Sequence, residues 1–193
     1  VKAWQGITHH TGSPTWRKKK DRLTEKQREN LGLLRPNDQV VEAWNRTREL
    51  AQILEARICV LQTPARFDAG RENRRNMERF FERIDRGGLD IAWEPRGEWN
   101  QHLGSVCEIC TTHGLIHVVD LMRRKPVSDH PVVYLRLHGL NEREYDYHYD
   151  YSDRQLRDLA GTLKQLATGR DRVYCMLNNT AMYKNAFTLM DLL

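Results

Sequence analysis

The chain has 193 residues, with 31 Lys and Arg, 26 Asp and Glu and 8 His, giving a formal net charge of +5. Hydrophobic residues make up 39% and charged residues 30%. No apolar run approaches the ~18–20 residues of a spanning helix, and recurrent Trp, Tyr, Ile, Leu and Val clusters argue against disorder.

In chain order, Val1 to Gln5 reads as the end of a strand that the sequence enters without a lead-in. Residues 1–35 then hold nine Lys and Arg against Asp21, Glu25 and Glu29, whereas the remainder carries 22 basic and 23 acidic groups. The charge is therefore a property of one segment, with Arg17, Lys18, Lys19 and Lys20 at its centre. Asn37 caps a helix to about Glu55, in which Val40, Trp44, Thr47, Ala51 and Leu54 recur at helical spacing.

A rhythm follows. The apolar run from Arg57 to Thr63 reads as a strand buried on both faces. Asn73 to Arg86 is a helix with Met77, Phe80, Phe81 and Ile84 on one side, and Leu89 to Glu94 is a strand. Glu98 to His113 reads as a helix, Ile116 to Leu121 as a strand, and Val132 to His138 as another. Ser152 caps a helix carrying Leu156, Leu159, Leu163 and Leu166. Arg172 to Asn178 is the last strand and Ala181 to Leu193 the last helix. Short apolar strands alternating with amphipathic helices imply an α/β protein with a parallel sheet. With no linker evident, the expectation is one domain over residues 1–193.

Each strand turns polar at its C-terminal end: Gln5, Thr8 and His9; Gln62 and Thr63; Glu94 and Arg96; Asp120; Arg136 and His138; Asn178 and Asn179. In a parallel sheet these ends share one edge, where α/β proteins place ligands. Solvated loops explain polarity in general, but not why charged residues recur there, since buried charges need partners.

The strings that carry these residues are specific. They are Val1-Lys2-Ala3-Trp4-Gln5-Gly6-Ile7-Thr8-His9, Ser13-Pro14-Thr15, Gln62-Thr63-Pro64-Ala65-Arg66-Phe67 and Trp93-Glu94-Pro95-Arg96-Gly97 with Trp99. To these are added His117-Val118-Val119-Asp120, Tyr134-Leu135-Arg136-Leu137-His138-Gly139, and Asn178-Asn179 with Met182. Together they resemble the YecE-like family, the domain of unknown function numbered seventy-two. The resemblance implies a TIM-barrel-like (β/α) fold with about six of eight β-α units present, the first two being absent from an N-terminally truncated domain. It implies no established activity.

Glu94 and Arg96 lie two apart and share a strand face. Glu94 suits a general acid/base or a metal ligand; a structural ion pair with Arg96 or Arg136 is the competing reading. Asp120 adds a carboxylate and His138 a proton carrier near neutral pH, so Glu94, His138 and Asp120 are the catalytic candidates. Arg136, Arg96 and Lys2 suit an anionic oxygen. Gln5, Gln62, Asn178 and Asn179 supply amides to orient a polar ligand, and Trp93 and Trp99 offer stacking faces, although such aromatics more often serve packing. The His needed for a multinuclear metal site are lacking, so no metal site is assigned, and the cofactor is left open.

Cys59 and Cys175 lie in apolar runs and read as buried thiols. Cys107 and Cys110 have C-x-x-C spacing, but on a helix with no second ligand pair they read as packing. Reduced thiols fit a cytoplasmic protein. The expected function is a hydrolase or lyase-type enzyme acting on a small anionic, phosphate-bearing ligand. The alternative is a non-catalytic nucleic-acid binder using residues 17–35 and the aromatics. No membrane partner is expected, and the oligomeric state is left open.

Overall fold

The computed structural model describes the whole chain apart from Lys19 and the side chain of Lys20, so the centre of the basic run lies outside the described residues. Two compact units emerge, Val1–Leu115 and Ile116–Leu193. No helix among the described residues is long and apolar enough to cross a membrane.

In the first unit the opening strand is shorter than its sequence suggests. Lys2 forms a parallel bridge to Val60, with Ala3 N donating to Val60 O and Val60 N donating to Val1 O, both at 2.9 Å. The chain then turns into a single helical turn, α1 (Gln5–Thr8). Gln5 and His9 therefore lie beyond extended structure, on and just after that turn.

Helix α2 (Glu25–Asn30) starts in a capping box: Thr24 accepts from Gln27 N while the Gln27 side chain returns to Thr24 N. Helix α3 (Asp38–Ile53) starts where Asn37 accepts from Val40 N at 3.0 Å, and it buries Val40, Ala43, Trp44, Thr47 and Ala51. Strand β1 (Ile58–Gln62) is buried throughout, as its apolar run demands. Helix α4 (Arg71–Arg83) brings Phe80 edge-on to Trp44 with centroids 6.1 Å apart, and Trp44 Nε1 donates to Asp85 O at 2.8 Å. Strand β2 (Asp90–Glu94) pairs parallel with β1, from Ile58 opposite Asp90 to Gln62 opposite Glu94.

The helix expected over 98–113 divides at His102. Gly97–Gln101 forms a 3-10 segment, and α5 (Leu103–His113) follows. Trp99 fixes the division. It is fully buried, stacks on Phe67 at 6.3 Å and donates Nε1 to Phe67 O at 2.6 Å. Strand β3 (Leu115–His117) then leads into the second unit.

There, Val119 bridges parallel to Leu135. Strand β4 (Val132–Leu137) pairs parallel with β5 (Arg172–Leu177), in register from Val132 opposite Arg172 to Leu137 opposite Leu177. Helix α6 (Asp153–Ala167), capped by Ser152 with Gln155 in a capping box, crosses between them. Its Leu156, Leu159, Ala160 and Leu163 pack with Val133, Leu135, Leu137 and Tyr151 to form this unit's core. Helix α7 (Met182–Leu192) adds Leu189 to that core while Tyr183, Phe187 and Met190 stay exposed. The outcome is a mixed α/β chain with parallel strands. The resemblance implied six of the eight units of a TIM-barrel-like fold; the described residues form a three-stranded and a two-stranded sheet and no closed barrel.

Candidate functional site

Parallel pairing puts the C-terminal ends of β1 and β2 side by side, with Gln62 opposite Glu94. Lys2 Nζ donates to Gln62 Oε1 at 2.9 Å. Arg96 donates to Glu94 Oε1 from Nη2 at 3.0 Å and from Nε at 3.3 Å. Glu94 is 4% exposed, so this charge is held inside the protein with a cation against it. Gln62, Glu94 and Arg96 therefore gather at one sheet edge, as their positions at strand ends suggest, and Lys2, near the start of its own strand, reaches the same edge through Gln62.

His9 joins them. Its side chain is 6% exposed, and burial together with the charges of Lys2 and Arg96 lowers its pKa from 6.5 to about 4. The imidazole is therefore neutral at neutral pH. Thr8 Oγ1 lies 2.8 Å from its Nδ1, and Trp16 Nε1 donates to its backbone carbonyl at 3.2 Å. The segment behind it is wound the wrong way for L-residues: Gly32, Leu33 and Leu34 all have positive φ, at 89°, 56° and 49°. Gly32 N donates to Gly6 O, Leu33 N to Thr8 O and Leu34 N to Ile7 O, which ties this turn along α1. A Cβ on Gly32 would lie 2.4 Å from His9 O, so only glycine fits. His9 is legible in the sequence only as one polar residue among several.

Trp93 and Trp99 are placed differently from their neighbours in sequence. Successive strand residues alternate faces, so Trp93 faces away from Glu94. Both rings are fully buried and meet edge-on at 5.1 Å. Trp93 Nε1 donates to Thr63 Oγ1 at 3.1 Å, and the Arg74 guanidinium lies 5.3 Å from the Trp99 ring centre. Gln5 reaches Thr15 O at 3.5 Å, next to α1 rather than at the strand ends.

The second unit carries its own polar group. Asp120, 2% exposed, accepts from His138 N at 2.8 Å through Oδ2 and from Met122 N at 3.0 Å through Oδ1. Burial raises its pKa despite these donors. His138 Nδ1 lies 4.0 Å from Asp120 Oδ2, and its ring packs against Tyr145 and Tyr147 at 5.6 and 5.5 Å. Gly139 next to it has φ 101° and lies where a Cβ would be 2.4 Å from Tyr149, while its N–H donates to Tyr151 Oη at 2.8 Å. The loop rich in tyrosine is thus packed onto the end of β4. Arg136 is half-buried on β4, and its N–H donates to Val119 O at 2.9 Å.

Asn178 N donates to Leu137 O at 2.8 Å, continuing the β4–β5 ladder. The Asn179 amide donates to Tyr149 O at 2.8 Å and to Asn185 Oδ1 at 2.7 Å, so its visible role is to tie the loop to α7. Among the described residues no three His, Cys, Asp or Glu side chains group closely enough to hold a metal ion. The cysteines are free thiols, with Cys107 exposed, Cys110 and Cys59 buried, and Cys175 partly buried. Burial pushes the thiols of Cys59, Cys110 and Cys175 up, to about 11, 12 and 12.

Parallel strands joined through helices, with polar side chains gathered at their C-terminal ends, define a mixed α/β protein. The chain belongs to the DUF72 family, described as a protein of unknown function, which it matches over residues 1–193. It is similar to a crystal structure of a DUF72 family protein from Thermotoga maritima MSB8 at 22% identity and a TM-score of 0.68, covering 100% of this chain and 70% of that one. Two crystal structures of a DUF72 family protein from Enterococcus faecalis V583 are also similar. One has 18% identity and a TM-score of 0.66, covering 99% and 72% of the two chains. The other has 17% identity and a TM-score of 0.64, covering 99% and 76%. No curated protein matches the chain.

Proposed function

We propose that the first unit binds a small phosphate-bearing anion at the C-terminal ends of β1 and β2 and acts on it as a hydrolase or lyase-type enzyme. The carrying observation is the gathering of Lys2 and Arg96 beside Gln62 and Glu94 on one sheet edge. Two cations of this kind suit phosphate oxygens, Arg as a planar fork and Lys as a point charge. Gln62 orients the Lys2 ammonium, and Arg96 holds Oε1 of Glu94. Glu94 is the proposed acid/base. In the second unit, Asp120, His138 and Arg136 are proposed as a further set, in which Asp120 fixes the backbone of His138.

The test is a panel of phosphate monoesters assayed with the wild type and with Glu94→Gln and Arg96→Ala. Glu94→Gln is expected to lower kcat by at least about a hundredfold, the usual scale for a lost acid/base, while leaving KM near the wild-type value. Arg96→Ala is expected to raise KM. Turnover that survives both changes would refute the assignment.

A second reading is supported by the exposure of Arg17, Lys18, Arg22, Lys26 and Arg28 in the basic segment. Such a surface suits a nucleic-acid backbone. On that reading, affinity for RNA or DNA falls steeply with added salt, and replacing Lys18, Lys19 and Lys20 with Ala weakens it. Salt-independent binding, or none, would remove this reading.

A further inference from the structure

We propose that His9 is a further ligand-contacting residue of this site, taking a proton from the bound anion, and that the ligand is a phosphate bearing an ionisable proton rather than a carboxylate. This inference rests on the anion-site reading above and sharpens it.

The first support is geometric. His9 is more than nine-tenths buried, yet only one of its ring nitrogens is engaged, Nδ1 against Thr8 Oγ1 at 2.8 Å. Nε2 has no hydrogen-bond partner among the described residues and is not among the sealed, unpartnered atoms. In the tautomer whose Nδ1–H donates to Thr8 Oγ1, the lone pair resides on Nε2, ready to accept. Nε2 thus keeps an opening to solvent in an otherwise buried residue, where a ligand can reach it.

The second support is the scaffold. Three consecutive left-handed residues, two of them leucine, are wound against the segment that carries His9. Left-handed backbone at non-glycine residues costs about 1–3 kcal/mol each and persists where the surroundings over-determine it, often at functional sites. Trp16 adds a hydrogen bond to His9 O, so the backbone that carries the imidazole is tied down as well.

The third support is charge. The groups acting on His9 are Lys2, Arg96 and His10, and every one of them disfavours an added proton. His10 in turn feels Arg66 and Arg35, while Glu94 lies behind Arg96. A bound anion reverses this balance by neutralising the two cations. A phosphate monoanion then has somewhere to put its proton. Its O–H bond breaks, the electron pair stays on the phosphate oxygen, and an N–H bond forms at Nε2. The products are a phosphate dianion and an imidazolium held against it. A carboxylate near neutral pH has no proton to give and gains nothing from an acceptor nitrogen. Phosphate monoesters, with a second pKa near 6, carry one in the relevant range.

The experiment follows the His9 ring resonances by NMR in the full chain at pH 6, with inorganic phosphate and then acetate as probes. Phosphate is expected to move His9 to the shifts of a protonated imidazole, and acetate to leave it neutral. His9→Gln is expected to weaken phosphate binding at least tenfold and to leave acetate binding unchanged; His9→Asn serves as a second variant. If phosphate binds, and Arg96→Ala weakens it, but His9 stays neutral, the inference falls and the anion site stands. If phosphate does not bind at all, both fall.

Discussion

Gly32, Leu33 and Leu34 show how much local strain the His9 region holds. At Gly32 both φ and space exclude a side chain, because the atoms a Cβ would meet belong to the backbone of His9 and His10. Gly32→Ala is expected to cost more than about 2 kcal/mol, the sum of left-handed strain and a backbone clash. Leu33→Asn, at a similar φ and partly exposed, should cost less than about 1 kcal/mol, because Asn tolerates this conformation. Chemical denaturation of the two variants checks the difference. Two histidines make a pH prediction. Burial lowers both His9 and His117 from 6.5 to about 4. Below 6.5 the unfolded chain binds protons that the folded chain refuses, so stability is full above that value and declines as pH falls toward 4. Asp120, whose pKa is raised, acts in the opposite sense by favouring the fold in acid. The melting temperature is expected to fall from pH 7 to pH 5, and His117→Gln should flatten that fall. The residue-level positions of Gln62, Glu94 and Arg96 were readable from strand ends alone, whereas Lys2 lies near the start of its strand. Trp93 and Trp99, offered as stacking faces with packing as the competing reading, are fully buried in the core. The period of two along β2 already puts Trp93 on the face opposite Glu94.

At the scale of elements, most boundaries follow from local chemistry. Asn37 and Ser152 both cap the helices their sequences announce. Two elements depart from expectation because tertiary packing decides them. Trp99 must reach Phe67, which divides the run from Glu98 to His113, and Lys2 is the last residue to bridge before the chain turns into α1. The α6 helix supplies the stability test. Leu156 is 1% exposed among Leu135, Leu137 and Leu189, so Leu156→Ala is expected to cost about 2–5 kcal/mol. Ser152→Ala removes one cap and should cost only about 1 kcal/mol. A reversal of that order in urea titrations would contradict the packing described for this unit.

For the whole molecule, the alternation of strands and helices was legible as parallel α/β, and the parallel pairing of β1 with β2 and of β4 with β5 bears this out. The division of the strands into a three-stranded and a two-stranded sheet was not, since it depends on pairing between distant strands, for which no local pattern exists. Charge tells a similar story. The excess of basic residues in the first 35 positions suggested a surface function, yet Lys2, at the start of that segment, is the cation that joins Arg96 in acting on His9. The central claim is that this group binds phosphate. Calorimetric titration of inorganic phosphate into the wild type and into Arg96→Ala, at low ionic strength, tests it most directly. Binding by the wild type, weakened about tenfold or more in Arg96→Ala, is the predicted result, the scale of one lost charge-assisted hydrogen bond. Equal affinity in the two proteins, or no binding by either, would contradict it.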